Sequence, residues 1–113
     1  MRTEGLSINL ATVRRQWTLR EAVEGCACHG IRAIDPWRDQ VAATGLDEAV
    51  RIVKANGMRI TGYCRGGMFP ATDVAGRAAA IDDNKRAIDE AAALGAECLV
   101  LVCGGLPGGF GGE

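Results

Sequence analysis

The sequence predicts a parallel α/β fold in the order βαβαβαβ. Three observations carry that expectation. Helix-period segments alternate along the chain with short apolar runs rich in β-branched residues. The helix-to-strand junctions share a glycine: His29-Gly30-Ile31-Arg32-Ala33-Ile34, Asn56-Gly57-Met58-Arg59-Ile60-Thr61 and Leu94-Gly95-Ala96-Glu97-Cys98-Leu99. A glycine just past a helix end accepts the left-handed conformation that closes the last turn. The run Cys98–Cys103 is apolar throughout, as expected of a parallel strand covered on both faces. Regular alternation of this kind joins parallel strands by right-handed crossovers.

The first strand is expected over Leu6–Ala11. A helix follows in which Leu19, Ala22, Val23 and Cys26 keep the i, i+3, i+4, i+7 spacing of one buried face. Thr18 before it and Glu21 three residues on form a capping box. The second strand spans Ile31–Pro36. Leu46, Ala49, Val50 and Val53 repeat the helical spacing, with Thr44 as the expected cap and Asp47 near the positive helix end. The third strand is expected over Arg59–Cys64. A long alanine-rich helix runs from about Asp73 to Leu94, with Ala78, Ile81, Ile88, Ala91 and Ala92 as its apolar face. The fourth strand is Cys98–Cys103. The expected organisation is one unit of four strands and three helices over residues 1–105. A glycine-rich tail without periodicity follows over 106–113.

Composition excludes several classes of function. The 113 residues carry 13 Lys+Arg against 14 Asp+Glu, a net charge of −1, so no basic excess favours a nucleic-acid partner. No apolar run approaches the ~20 residues of a membrane-spanning helix, and the start has no apolar segment of a secretory signal. Five cysteines, an odd number without such a signal, point to reduced thiols in a cytoplasmic protein. Cys98 and Cys103 are expected as small buried hydrophobes. Cys26, Cys28 and His29 invite a metal reading, but positions two apart on a helix point about 200° apart. His29, the single histidine, is expected to cap a helix C-terminus.

In parallel α/β architectures ligands collect at the C-terminal ends of the strands. That rule selects Asn9–Thr12, Pro36–Asp39, Cys64–Pro70 and Gly104–Gly109. Asn9 there can hydrogen-bond a sugar hydroxyl or satisfy a loop backbone. Trp37 can stack on a sugar ring or pack under a loop. Arg38 and Asp39 read as a solvated surface pair. Arg65 follows Tyr63-Cys64 and is flanked by Gly66-Gly67, small residues that let a ligand approach the backbone. Its guanidinium can hold a phosphate or carboxylate bidentately, or close a structural salt bridge. Met68, Phe69 and Pro70 read as loop packing. Asp35 and Asp39 are the carboxylates near these strand ends; Glu97 lies at the opposite end. Asp82, Asp83, Asp89 and Glu90 should mostly face solvent. No phosphate-loop signature is present. These residues offer no carboxylate pair with a histidine, so no catalytic or metal-binding residue is assigned.

Four segments carry a resemblance: Leu6–Thr12, Gly30–Trp37, Arg59–Gly67 and Ala93–Gly105. They resemble the amino-terminal half of a sugar phosphate isomerase/epimerase of the xylose-isomerase-like TIM-barrel family. The Leu94-Gly95-Ala96-Glu97-Cys98-Leu99-Val100-Leu101 junction is fairly specific to that family, and the order and spacing of the other segments support it. The resemblance implies the first half of a (β/α)₈ barrel and a sugar or sugar phosphate as ligand. For full-length relatives it implies a divalent metal (Mn, Mg, Co or Zn) that assists isomerisation or epimerisation through an enediolate. The family's metal ligands lie on later strands than these four. No cofactor is therefore expected on this chain, and Asn9, Trp37 and Arg65 remain as substrate-binding positions. The expectation is a truncated half-barrel, inactive alone, that self-associates or pairs with a missing second half. The alternative is a non-catalytic half-barrel acting as an assembly or binding module.

Overall fold

The computed structural model describes residues 4–104. The 106–113 tail lies outside them. Five short parallel strands alternate with four α-helices. They are β1 (Ile8–Asn9), α1 (Leu19–Cys28), β2 (Ala33–Asp35), α2 (Arg38–Thr44), α3 (Leu46–Ala55), β3 (Arg59–Ile60), β4 (Tyr63–Gly67), α4 (Val74–Leu94) and β5 (Leu99–Val102). A 3₁₀ turn, Leu10–Val13, follows β1. This is a mixed α/β fold with parallel strands, a partial TIM barrel.

The expected third strand is divided. β3 pairs with β2, which pairs with β1, while β4 pairs with β5. A parallel bridge between Trp37 and Cys64 and the Cys64 N–H donated to the Pro36 carbonyl (3.1 Å) keep the surface continuous. The division falls at Thr61-Gly62, where the Asp35 side chain lies beside the backbone. A Cβ on Gly62 would stand 3.1 Å from Asp35 Oδ2. The Ser7 hydroxyl donates to Asp35 Oδ1 (3.2 Å), and the Thr61 hydroxyl donates to the same oxygen. These groups give the sheet surface opposite the helices a polar patch.

The helices pack where their apolar stripes direct them. α1 buries Leu19, Ala22, Val23 and Cys26, and its Thr18–Glu21 capping box forms in full. α3 buries Ala49, Ile52 and Val53. Both stripes cover Ile34 and Ile60 of the sheet, in one core with Leu10, Val41 and Tyr63. Each large aliphatic side chain fully buried there contributes about 1.5–3 kcal/mol. Asp47 and Glu48 stand in the first turn of α3, complementing its dipole.

Several expectations require correction. The segment Arg38–Thr44 is helical, which raises the helix count from three to four. Only Val41 of α2 is buried, so the segment carries no recurring apolar stripe to betray it. Thr44 therefore ends α2 rather than capping α3, whose N-cap is Gly45 at φ +96°. α4 buries Asn84, Ala87, Ala91 and Leu94, whereas Ile81 and Ile88 are exposed along with Ala78 and Ala92. The helix is apolar on two sides, and the sheet takes only one. The last strand is exposed rather than covered, with Leu101 at 54% exposure, and Cys98 and Cys103 are exposed with it. No helix among the described residues is long and apolar enough to cross a membrane.

Candidate functional site: a cleft at the strand ends

A cleft of about 440 Å³ opens at the C-terminal ends of β2 and β4. Arg14, Trp37, Arg38, Asp39, Asp83 and the segment Cys64–Met68 line it. It brings Trp37 and Arg65 together, and Asn9 reaches them through Trp37.

Asn9 is committed to the protein. Its Oδ1 accepts the Ala11 N–H (3.0 Å), capping the 3₁₀ turn, and the Trp37 indole N–H (2.8 Å). The loop-satisfying role thus holds for its carbonyl, and the same contact fixes the indole plane. The Arg14 guanidinium sits over that ring, 5.3 Å from its centroid, and pairs with Asp39. Arg14 is a cleft residue that strand-end reasoning missed, because its place depends on the 3₁₀ turn after β1.

Arg38 and Asp39 are not a pair with each other. Asp39 holds Arg14, and Arg38 forks onto α4. Its Nη1 and Nη2 donate to Asp83 (2.8 and 3.1 Å), and its Nε and Nη2 donate to Glu90 (3.0 and 3.2 Å). The buried Tyr63 donates its hydroxyl to Glu90 Oε1 (2.7 Å). Glu90 is therefore a largely buried internal partner, whereas Asp83 pairs with Arg38 while still facing solvent in part. The hydrogen bond from Arg38 holds the Asp83 carboxyl below the usual carboxylate range. Burial opposes ionisation of Glu90, but hydrogen bonds from Arg38 and Tyr63 outweigh it, and its carboxyl is also held low. Burial and the bond to Glu90 push the Tyr63 phenol up.

Arg65 is the exception in this cleft. It is exposed and has no ion-pair or hydrogen-bond partner among the described residues. The strand register explains its placement. Cys64 pairs with Val100 and Gly66 with Leu101, so β4 advances two residues while β5 advances one. Arg65 is the extra residue of a β-bulge, a device that re-aims a side chain next to a site. Gly66 and Gly67 are required by contact. A Cβ on Gly67, at φ +99°, would lie 2.1 Å from the Val102 carbonyl oxygen.

The remaining candidates stay structural. His29 caps α1, its Nδ1 2.7 Å from the Gly25 carbonyl oxygen. Cys64 lies under the cleft, and burial, with Asp35 and Cys98 nearby, pushes its thiol up. All five cysteines are unpaired. Glu97 pairs with Arg59 (2.8 Å) at the far end of the strands.

The cleft does not fit a divalent metal. Among the described residues no three His, Cys, Asp or Glu side chains are grouped to hold one. Guanidiniums dominate its lining, and its carboxylates Asp39 and Asp83 are both held by arginines. An arginine-lined cleft with an aromatic wall, in which Arg65 has no carboxylate partner among the described residues, suits an anion on a small organic body.

Parallel strands wrapped by helices, with a cleft at the strand mouths, define the class as a TIM-barrel-type α/β protein. The chain belongs to the xylose isomerase-like TIM barrel family, which it matches over residues 22–113. It is similar to protein SMc04130 from Sinorhizobium meliloti 1021, a crystal structure at 68% identity and a TM-score of 0.93. The match covers 97% of this chain and 40% of that one. It is also similar to a xylose isomerase-like TIM barrel/4-hydroxyphenylpyruvate dioxygenase fusion protein, at 21% identity and a TM-score of 0.68. There the match covers 84% of this chain and 15% of that one, a likeness of fold alone. No curated protein matches this chain. The chain thus spans 40% of the length of the Sinorhizobium protein it matches.

Proposed function

We propose that this chain forms the substrate-holding part of a sugar phosphate isomerase/epimerase-type site and performs no turnover by itself. Arg65 carries the reading: a guanidinium without a partner among the described residues, on a bulge, beside two glycines, in a cleft walled by Trp37 and Arg14. Arg65 holds the phosphate of the ligand, and Trp37, fixed by Asn9, lies against its sugar body. The cleft's carboxylates are occupied by arginines, so none is free to move a proton in an aldose/ketose isomerisation or an epimerisation. Five free thiols support a reducing, cytoplasmic setting.

Titration of the 113-residue chain with fructose 6-phosphate and with fructose, followed by NMR, tests this. The expected result is at least a tenfold preference for the phosphate ester, erased by Arg65→Ala. Equal binding of both sugars, or a preference that survives Arg65→Ala, overturns it. Conversion of fructose 6-phosphate by this chain alone overturns the inactive part.

The uncovered strand β5 and the exposed Ile81 and Ile88 of α4 favour a second reading, a half-barrel that acts by assembling with another half. A defined dimer by light scattering on a sizing column supports it, and a monodisperse monomer argues against it.

A further inference from the structure

Asn84 is the one buried polar residue among the described residues, 7% exposed, on a helix face otherwise made of Ala87, Ala91 and Leu94. A buried carboxamide is retained in an apolar face only with its partners in place. Here two of its three hydrogen bonds go to one neighbour. Its Oδ1 accepts the Gly67 N–H (2.5 Å) and its Nδ2 donates to the Gly67 carbonyl (2.8 Å). The second Nδ2 proton goes to the Ala80 carbonyl (2.8 Å), which fixes the amide on α4. Asn84 thus answers both backbone groups of Gly67, as a neighbouring strand would. A Cβ on Gly66 would lie 2.7 Å from the same Oδ1, so the clamp also keeps residue 66 bare.

The clamp sits two residues beyond Arg65, where the ladder resumes after the bulge. Arg65 has no side-chain partner of its own among the described residues, so its direction is set by the backbone on either side. Cys64 fixes one side through the Pro36 carbonyl, and Asn84 fixes the other.

We propose that Asn84 is the positioning residue of the anion subsite: from α4 it locks Gly66-Gly67 so that the bulged Arg65 faces the cleft. The inference rests on the reading of Arg65 given above. Its test is Asn84→Leu in the 113-residue chain, titrated with fructose 6-phosphate and fructose beside Arg65→Ala. The expected result is a loss of at least tenfold for the phosphate ester and at most twofold for fructose. An equal loss on both sugars marks a merely structural role and overturns the proposal, as does no loss. If Arg65→Ala leaves the phosphate preference intact, the functional reading has failed instead.

A second measurement needs no variant and covers the case in which Asn84→Leu does not fold. In the wild-type chain the Asn84 side-chain amide and the Gly67 N–H should be protected from exchange. Both should shift with inorganic phosphate and fructose 6-phosphate but not with fructose. Resonances that exchange freely, or ignore phosphate while Arg65 responds, overturn the positioning role.

Discussion

Replacing Arg38 by methionine tests how α2 is tied to α4. The change keeps most of the side-chain volume and removes all four hydrogen bonds of the guanidinium. Arg38 and Glu90 are only 22% and 24% exposed, so their charge-assisted contact lies in the range of about 1.5–3 kcal/mol. Asp83 is 46% exposed, and its contact behaves as a surface pair worth at most about 1 kcal/mol. Tyr63 still donates to Glu90 in the variant, which limits the damage to that carboxylate. The expected cost is about 3 kcal/mol, roughly a hundredfold in the unfolding equilibrium. Urea denaturation followed by circular dichroism at neutral pH reads it directly. The pH dependence has a defined sign. Asp83 and Glu90 are held below their ordinary range, so their stabilisation is present above that range and lost as pH falls through it. The gap between wild type and variant should therefore narrow below about pH 4. A cost below about 1 kcal/mol, or a gap unchanged in acid, would refute the argument.

Thr18→Ala removes one half of the capping box of α1 and should cost about 1 kcal/mol in the same denaturation assay. Gly67→Ala drives a Cβ into the Val102 carbonyl at positive φ. It should cost more than about 3 kcal/mol and unpair β4 from β5, seen as lost amide protection in both strands. Ile88→Lys with Leu101→Lys charges the uncovered helix and strand faces, and sizing-column light scattering should show less association than in wild type. Buried Cys64 should alkylate at least about tenfold more slowly than exposed Cys28 when followed by peptide mass spectrometry, since the thiolate is the reactive form.

Much of the fold is written locally, in caps and helix-closing glycines that keep their roles in the structure, although the expected Thr44 cap does not form. Thr18 and Glu21 cap the same helix in sequence and structure. Gly30, Gly57 and Gly95 all adopt positive φ beyond the helices they close. The three helices with clear expectations form where the apolar spacing places them, and the strands that follow their glycines are parallel. A glycine's φ or a capping threonine's bond involves residues three or four apart, so the sequence alone suffices to show it.

The cleft is another matter. Asn9, Trp37 and Arg65 could be nominated because strand ends are legible, and Asn9 and Trp37 do meet across 28 positions. Their division of labour could not be read. Arg38 finds its partners 45 and 52 residues away, and Asn84 finds Gly67 across 17. Nothing in Arg38-Asp39 distinguishes a surface pair from two residues that turn to different helices. Nor does the alanine-rich stretch of α4 say which of its two apolar sides meets the sheet. The bulge that turns Arg65 outward depends on the register between β4 and β5, a property of two strands at once. The sequence by itself determined the alternation of helices and parallel strands, because caps, glycines and apolar period act over a few residues. Only the tertiary structure decided that Arg14 and Arg38 are spent on carboxylates while Arg65, in the same cleft, has no such partner among the described residues. That choice is made by distances between residues the chain keeps far apart.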